Sequence, residues 1–249
     1  MSILKRYKFI LEYDGSRFFG WQRQLAQPTV QQTLEEQLTA FVKHSVIVYG
    51  AGRTDTGVHA TGQVAHADLS YPHSPYRLQV ALNHFLIQKG ISVVACEEVD
   101  HHFHARYDAI SRSYQYRILN RVAPAACNTK VWHIEKPLDT KRMNEAAQKL
   151  VGSFDFSSFR DSKCQSKSPI KTISLFNIEQ QGDYIFINIS APSFLHHQVR
   201  IMVGTIKAVG RGAISIDDFL QIRDAKDRTK AGVTAPSNGL TLTNVEYGH

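Results

Sequence analysis

The chain has 249 residues, of which 43% are hydrophobic and 20% are charged. This composition excludes disordered, collagen-like and coiled-coil proteins, and the length suits one large domain or two small ones. Lysine and arginine number 29 against 22 acidic residues, so the net charge is +7, which favours polyanionic partners such as nucleic acid or an anionic membrane surface.

Cysteine spacing and hydropathy predict the cellular compartment. The three cysteines, Cys96, Cys127 and Cys164, are too far apart for a disulfide framework or a CxxC metal site. The apolar run before Glu12 is too short for a signal peptide, and no stretch of about 18 apolar residues predicts a transmembrane helix. We therefore expect reduced thiols and a cytoplasmic location.

Strand and helix patterns follow one another in a repeated order. The first half predicts a strand over 8–13, a helix over 30–44, strands over 46–50 and 63–69, a helix from Pro75 and a strand over 91–99. The second half predicts a strand over 111–119, a helix from Asp139 that ends at Gly152, a hairpin of 172–179 and 184–190, helices over 194–209 and after Ser215, and a strand over 240–247.

Both halves thus predict the order β-α-β-β-α-β, with insertions in the second. This order is typical of ferredoxin-like units, in which an antiparallel sheet carries helices on one face. We predict an α+β protein with two tandem ferredoxin-like halves, residues 1–108 and 109–249. Their antiparallel sheets would join around a central basic cleft.

The most unusual segment is the loop Gly50–Ala60, which holds three glycines and one carboxylate, Asp55, beside Arg53. Glycines let the backbone bend tightly and approach a ligand closely. The pattern fits a ligand-binding loop, and it equally fits a surface turn in which Asp55 bonds its own backbone. A nucleotide phosphate loop is disfavoured because the G-x-x-x-x-G-K-[ST] pattern and a following helix are missing.

Arginines alternate with aromatic residues over 103–117. Arginine binds phosphate bidentately, and a tyrosine on a strand can stack on a base. Tyr114 and Tyr116 share one face of the predicted strand. We interpret Tyr116 as a core residue, whereas Tyr114 fits either a core or a binding role.

The helix predicted over 194–209 contains an isolated charge. Arg200 is the only formally charged residue between Asp183 and Lys207. An unpaired buried charge is costly, so either a distant carboxylate pairs with Arg200 or its side chain reaches water.

Histidines cluster at 101–104 and 196–197, which raises the question of a metal site. Neither H-E-x-x-H nor a Cys/His set with zinc spacing is present, so we expect no metal. A nucleophile motif such as G-x-S-x-G is also missing.

One segment is distinctive as a motif, namely Gly52-Arg53-Thr54-Asp55-x-Gly57-Val58-His59-Ala60. Further motifs follow in order: Tyr13-Asp14-Gly15-Ser16, Gly20-Trp21-Gln22-x-Gln24, Thr29-Val30-Gln31, Phe103-x-Ala105-Arg106, Arg112-x-Tyr114-x-Tyr116, Gly152-Ser153-Phe154-Asp155-Phe156, Phe194-Leu195-x-His197-x-Val199-Arg200 and Ala235-Pro236-x-x-Gly239-Leu240. Together they resemble the tRNA pseudouridine synthase A (TruA) family over essentially the whole chain.

The resemblance implies a cytoplasmic isomerase that converts uridine to pseudouridine at positions 38–40 of the tRNA anticodon stem-loop, after the target base is flipped out of its stack. It implies a homodimer that binds tRNA, uses no cofactor or metal and has no membrane partner. It also implies two ferredoxin-like halves that meet at a central cleft.

The resemblance further implies roles for individual residues. Asp55 would be the catalytic nucleophile, Tyr114 would stack on the target base, and Arg200 would pair with the aspartate. Substrate contacts are implied for Arg53, His59, Gln63, Arg106 and Tyr114.

Three positions depart from the family pattern, because Thr56, Gln198 and Ile201 stand where alanine, methionine and asparagine are usual. None of them removes an ionisable catalytic group, so they bear on the shape of the pocket and the choice of uridine. The main alternative is a non-catalytic tRNA-binding paralogue of the same fold. Tandem RRM domains are disfavoured because the K/R-G-F/Y-G/A-F-V-x-F/Y strand is missing and a carboxylate beside RNA suits an enzyme better than a binder.

Overall fold

The elements of the chain gather into two units in a computed structural model, which describes residues 4–70 and 72–248. The first unit contains the chain up to Ile110 and from Leu242 onward, and the second contains Ser111–Thr241. Residues 1–3, 71 and 249, which the two predicted halves include, lie outside the described residues. The last strand was predicted in the second half, but from Leu242 it groups with the first unit, where it is a neighbour of an N-terminal strand in the sheet.

The first unit has the predicted order of four strands and two helices, and it also contains most of the last strand of the chain. Its elements are β1 (Leu4–Tyr13), α1 (Val30–Val42), β2 (Tyr49–Gly50), β3 (His59–Ser70), α2 (Pro75–Leu86), β4 (Ile91–Val99) and, at the end of the chain, β11 (Leu240–Tyr247).

The sheet of the first unit has the strand order β4-β1-β3-β11, and β2 pairs with β3. β1 runs antiparallel to both β3 and β4. Alternate β1 side chains, Tyr7, Phe9 and Leu11, are wholly buried, which is the period expected of a strand with one face in the core. Helix α2 packs on β4 and on α1.

The second unit contains more strands than the sequence predicted. Its elements are β5 (Ala109–Asn120), β6 (Trp132–Ile134), α3 (Thr140–Gln148), β7 (Gly152–Asp155), β8 (Ile170–Ile173), β9 (Leu175–Gln181), β10 (Tyr184–Ala191), α4 (Gln198–Gly210) and α5 (Ile216–Asp224).

Strands β5, β10 and β9 of the second unit are antiparallel neighbours, and the short β6 runs parallel to β5. Buried Ile185, Ile187 and Ile189 alternate along β10. Helix α3 packs on β9 and α4. With five α-helices and mostly antiparallel strands, the described chain has a mixed α and β fold.

Several predictions for the second half were wrong in detail. β6 and β7 were not predicted, and the strand predicted over 172–179 is interrupted at Ser174. The helix predicted to end at Gly152 ends at Gln148, and Gly152, with φ +121°, opens β7 instead. A left-handed backbone at this position favours glycine whether a helix ends or a strand begins there.

All three cysteines are free thiols, as predicted. Within residues 4–70 and 72–248, no helix combines the length and the apolar character needed to cross a membrane.

Candidate functional site

Asp55 lies in the loop that joins β2 to β3 in the first unit. The loop turns back on itself, because the Val58 N–H donates to the Asp55 carbonyl at 3.1 Å and Gly57 adopts φ +82°. The Asp55 residue is partly exposed, whereas Thr54 before it is buried. The turn therefore leaves Asp55 partly accessible to a ligand.

Two buried side chains, those of Tyr13 and Gln63, form hydrogen bonds that hold this loop. The hydroxyl groups of Tyr13 and Thr54 are hydrogen-bonded at 2.8 Å. The Gln63 amide donates to the Gly52 carbonyl at 3.0 Å and lies 3.5 Å from the Tyr13 hydroxyl. Burial raises the pKa of Tyr13 to about 12, although its bonds to Thr54 and Gln63 act in the opposite direction, so its hydroxyl stays protonated at neutral pH.

The Gly20-Trp21 motif holds the same loop from a second side. The Trp21 N–H donates to the Thr54 carbonyl at 3.0 Å. Gly20 has φ +88°, and a Cβ at this position would lie 2.7 Å from the Thr54 oxygen. Only glycine therefore fits at position 20, and the residue adjoining Asp55 is held through both its side chain and its carbonyl.

Arg53 is exposed, but its guanidinium is tethered. Its Nε donates to the Gln22 side-chain oxygen at 3.0 Å, and the Gln22 amide donates to Gln31 at 2.8 Å. Gln31 in turn donates to buried Glu35 at 3.0 Å. This series of hydrogen-bonded side chains links Arg53 to helix α1, so the Arg53 guanidinium is held in place although the residue is exposed.

His59 and Gln63, predicted as substrate contacts, are buried, with 3% and 0% of their surface exposed. The His59 Nδ1 accepts the Gly15 N–H at 3.1 Å, and both Gln63 side-chain polar atoms bond within the first unit. Arg106, predicted with them, is exposed.

In the second unit, Tyr114 lies on β5 opposite Ile189 of β10. Its ring meets the Phe194 ring edge to face, with centroids 5.4 Å apart. Tyr116, two residues along, is buried and donates its hydroxyl to the Pro236 carbonyl at 2.8 Å. Burial raises the pKa of Tyr116, and the charge of Arg200 partly offsets this effect. Tyr116 is the core residue of the pair, as predicted.

Arg200 lies in the first turn of α4 and not in the interior of a longer helix. The predicted start at 194 was wrong because His197 has a left-handed backbone, φ +59°, and its Nδ1 lies 2.8 Å from an Asp161 carboxylate oxygen. The Arg200 Nε donates to the Ala235 carbonyl at 2.8 Å. The Ala235-Pro236 turn therefore holds both Arg200 and Tyr116.

The three departures from the family pattern differ in their surroundings. Gln198 is buried, and its side-chain oxygen accepts the Leu195 N–H at 2.8 Å, which closes the turn before α4. Ile201 is wholly buried in the core of the second unit. Thr56 is exposed beside Asp55, so it is the departure positioned to affect a ligand at the loop.

One group of metal-ligand atoms lies within the first unit. Asp100, His101 and His102 bring a carboxylate oxygen and two imidazole nitrogens within 4.8 Å of one another. All three residues are exposed, and acidic and histidine side chains commonly cluster on surfaces without a metal, so this group does not by itself indicate a metal site.

The structure thus places Asp55, Arg53, His59, Gln63 and Arg106 in the first unit and Tyr114 and Arg200 in the second. Around Asp55, sequence reasoning missed the anchoring roles of Tyr13, Thr54 and Trp21. All three residues belong to the motifs named in the sequence analysis. Only their long-range hydrogen bonds show what these residues do.

Comparisons with known proteins agree with the motifs. A family model described as tRNA pseudouridine synthase matches residues 10–108 and 146–248, which include Asp55 and Arg200 but not Tyr114. The chain is 49% identical over 245 residues to a protein of Anaplasma phagocytophilum named tRNA pseudouridine synthase A, covering 97% of this chain and 100% of the relative. A protein of the same name from Rhodospirillum centenum is also 49% identical, covering 98% of this chain and 100% of the relative.

Among solved structures, the chain is similar to one chain in the crystal structure of a Cbf5-Nop10-Gar1 complex. That likeness has a TM-score of 0.40 and 10% identity, and it covers 95% of this chain and 49% of the other.

Proposed function

Because the chain belongs to the tRNA pseudouridine synthase family, we propose that Asp55 is the carboxylate with which it isomerises uridine to pseudouridine in tRNA. The reaction breaks the bond between N1 and C1′ of uridine and joins C5 of the base to C1′. C5 loses its proton and N1 gains one, so the reaction needs no external reagent. An ionised carboxylate can serve as the nucleophile.

The observation that carries this proposal is the way the Asp55 loop is held. Thr54, next to Asp55, is bonded through its side chain to Tyr13 and through its carbonyl to Trp21. A reacting group must be held within about 0.5 Å of its productive position, which requires supporting side chains with locked conformations. The anchors on Thr54 supply such support for the residue that follows it, Asp55.

Tyr114 and Arg200 are proposed as partners of Asp55 in the reaction. A tyrosine ring held edge-on by Phe194 offers a flat face against which the detached uracil can rotate without leaving the site. An arginine near the carboxylate would favour its ionised form. Their assignment rests on the motif resemblance and, for Arg200, on its place within the residues that the family model matches.

The remaining predicted contacts divide by exposure. Arg53 and Arg106 are exposed, and we assign them to backbone phosphate, with Arg53 also assisting extrusion of the target base. His59 and Gln63 are buried with bonds inside the first unit, so we assign them to positioning the loop instead of touching RNA.

The finer features of the family are proposed for this chain as well. They are two ferredoxin-like halves around a central cleft, a homodimer in the cytoplasm, no cofactor, and uridines 38–40 of the anticodon stem-loop as targets. The net charge of +7 supports a polyanionic substrate.

The test is incubation of purified protein with an unmodified tRNA transcript, without added metal or nucleotide, followed by site-by-site mapping of pseudouridine. We expect product at positions 38–40 with the wild type and none with Asp55→Asn, whose tRNA affinity should be retained. Asp100→Asn, which alters an exposed carboxylate of the same unit, is the matched control and should remain active.

Two outcomes contradict the proposal. Tight tRNA binding by the wild type without product would favour the non-catalytic paralogue. Equal loss of binding and activity in Asp55→Asn would make Asp55 a structural residue.

A further inference from the structure

Four rings form a continuous cluster in the first unit, outside the Asp55 loop. Tyr49 stacks on His66 with centroids 5.1 Å apart, His66 meets His104 at 4.7 Å, and His104 meets Tyr107 at 4.3 Å. Tyr49 also lies 5.7 Å from His104. We call these residues, Tyr49, His66, His104 and Tyr107, the Tyr107 platform.

Backbone hydrogen bonds hold the platform in place. The His66 Nδ1 accepts the Ala105 N–H at 3.1 Å, and the His104 Nδ1 accepts the N–H groups of Arg106 and Tyr107 at 3.1 and 3.3 Å. Each Nδ1 is an acceptor, so both imidazoles are held neutral. Burial, together with the charge of Arg6, lowers the pKa of His66 to about 4, and burial lowers the pKa of His104 as well.

The outer rings of the platform face solvent. Tyr107 is 77% exposed and Tyr49 is 48% exposed, although aromatic rings of this size usually bury their faces. His104 lies beside the Tyr107 ring and leaves most of its surface exposed. Exposed Arg106 stands next to Tyr107 in the chain.

The platform and the Asp55 loop share one strand. Tyr49 is followed by Gly50, the residue at which the loop begins, and both pair with β3. The platform is therefore joined to the Asp55 loop through β2.

We propose that the Tyr107 platform stacks an unpaired base of the tRNA substrate, distinct from the base that reacts at Asp55. The inference rests on the proposed function, because it takes tRNA as the ligand. Aromatic side chains bind single-stranded bases by stacking, and a neighbouring arginine adds a phosphate contact. Every base has a flat face, so the contact is expected to tolerate different tRNA sequences.

The test compares Tyr107→Ala, Tyr107→Phe and the wild type for the Kd of unmodified tRNA and for kcat and KM of pseudouridine formation. Tyr76→Ala is the matched control, because Tyr76 belongs to the same unit and is 74% exposed. Loss of base stacking weakens binding by about 5- to 150-fold. We expect this increase in Kd and KM for Tyr107→Ala, with kcat unchanged, and wild-type binding for Tyr107→Phe and Tyr76→Ala.

Salt dependence separates stacking from phosphate contact. Tyr107→Ala should leave the slope of log Kd against log salt unchanged, whereas Arg106→Ala should reduce its size by about one. A tRNA with single 5-iodouridines in the anticodon arm should also form a photocrosslink to Tyr107.

The inference is overturned if Tyr107→Ala binds tRNA as the wild type does while the wild type makes pseudouridine. That result would indicate that the exposed rings bind a protein partner, and it would not affect the proposed function. Equal losses in Tyr107→Ala and Tyr107→Phe would also overturn it, because the hydroxyl would then matter and not the ring. Absence of product from the wild type is a separate result that contradicts the proposed function itself.

Discussion

The hydrogen bond between the hydroxyl groups of Tyr13 and Thr54 should support both the stability of the first unit and the activity of Asp55. Tyr13→Phe removes one hydroxyl and leaves the other buried, with its partner at 2.8 Å gone. A buried polar group without a partner costs about 1–3 kcal/mol. We expect Tyr13→Phe to lower the free energy of unfolding by that amount.

Thr54→Val supplies the second arm of a double-mutant cycle. It removes the other hydroxyl at nearly constant volume and should cost less alone, because the Tyr13 hydroxyl still accepts the Gln63 amide at 3.5 Å. In the double variant both hydroxyls are gone, so the cost should fall below the sum of the single costs by about 0.5–3 kcal/mol. The Gln63 amide keeps its bond to the Gly52 carbonyl in each variant.

Urea unfolding followed by tryptophan fluorescence can measure this cycle in the relevant unit. The chain has two tryptophans, and Trp21 lies in the first unit, 6.3 Å from the Tyr13 ring. In a Trp132→Phe background, Trp21 alone reports the unfolding of that unit. The same proteins are assayed for pseudouridine formation under saturating tRNA.

We expect kcat to fall in Tyr13→Phe, because a small displacement of a reacting group can lower the rate up to about a hundredfold. Strictly additive unfolding energies would refute the coupling between the two hydroxyls. A loss of stability with unchanged kcat would refute the claim that the pair positions Asp55.

Two further predictions concern charge. Arg200→Met should lower kcat by about 100- to 1,000-fold while tRNA affinity changes little, because it removes a preorganised charge from the proposed site; an unchanged single-turnover rate would contradict this role. Burial lowers the pKa of His66 to about 4, and the charge of Arg6 and the neighbouring His104 act in the same direction. The pKa in the unfolded chain is about 6.5. The contribution of His66 to stability, up to about 3 kcal/mol, is therefore present above pH 6.5 and lost as the pH falls towards 4. The free energy of unfolding, measured in urea, should fall less over this pH range for His66→Gln than for the wild type. Parallel pH dependences of the two proteins would contradict the prediction.

Local signals were sufficient for the order of elements in the first unit, although β1 begins at Leu4 and β2 at Tyr49 instead of at 8 and 46. β4 was predicted with its observed bounds, Ile91–Val99, and α1 ends two residues before the predicted end. These elements are defined by side-chain periodicity and by capping residues, such as Thr29, whose side chain accepts the Gln32 N–H. Such signals act over a few residues and can be read without knowing the fold.

Elements that depend on distant partners were missed or misplaced. The start of α4 is set at His197, whose ring is bonded to Asp161, 36 residues earlier. β6 has only three residues and exists because it pairs with β5. β3 begins at His59, four residues before the predicted start, where Ala60 pairs with Tyr13.

The candidate site likewise has features that follow from local sequence and features that depend on distant residues. The sequence by itself determined which residues are proposed to carry the chemistry, because Asp55 and its neighbours form a contiguous motif and Arg200 is an isolated charge in an apolar segment. Tertiary structure alone decided how Asp55 is supported, since Tyr13 and Thr54 are 41 residues apart in the chain. It also decided that His59 and Gln63 are buried, because burial depends on what packs over a side chain and not on the residues beside it in sequence.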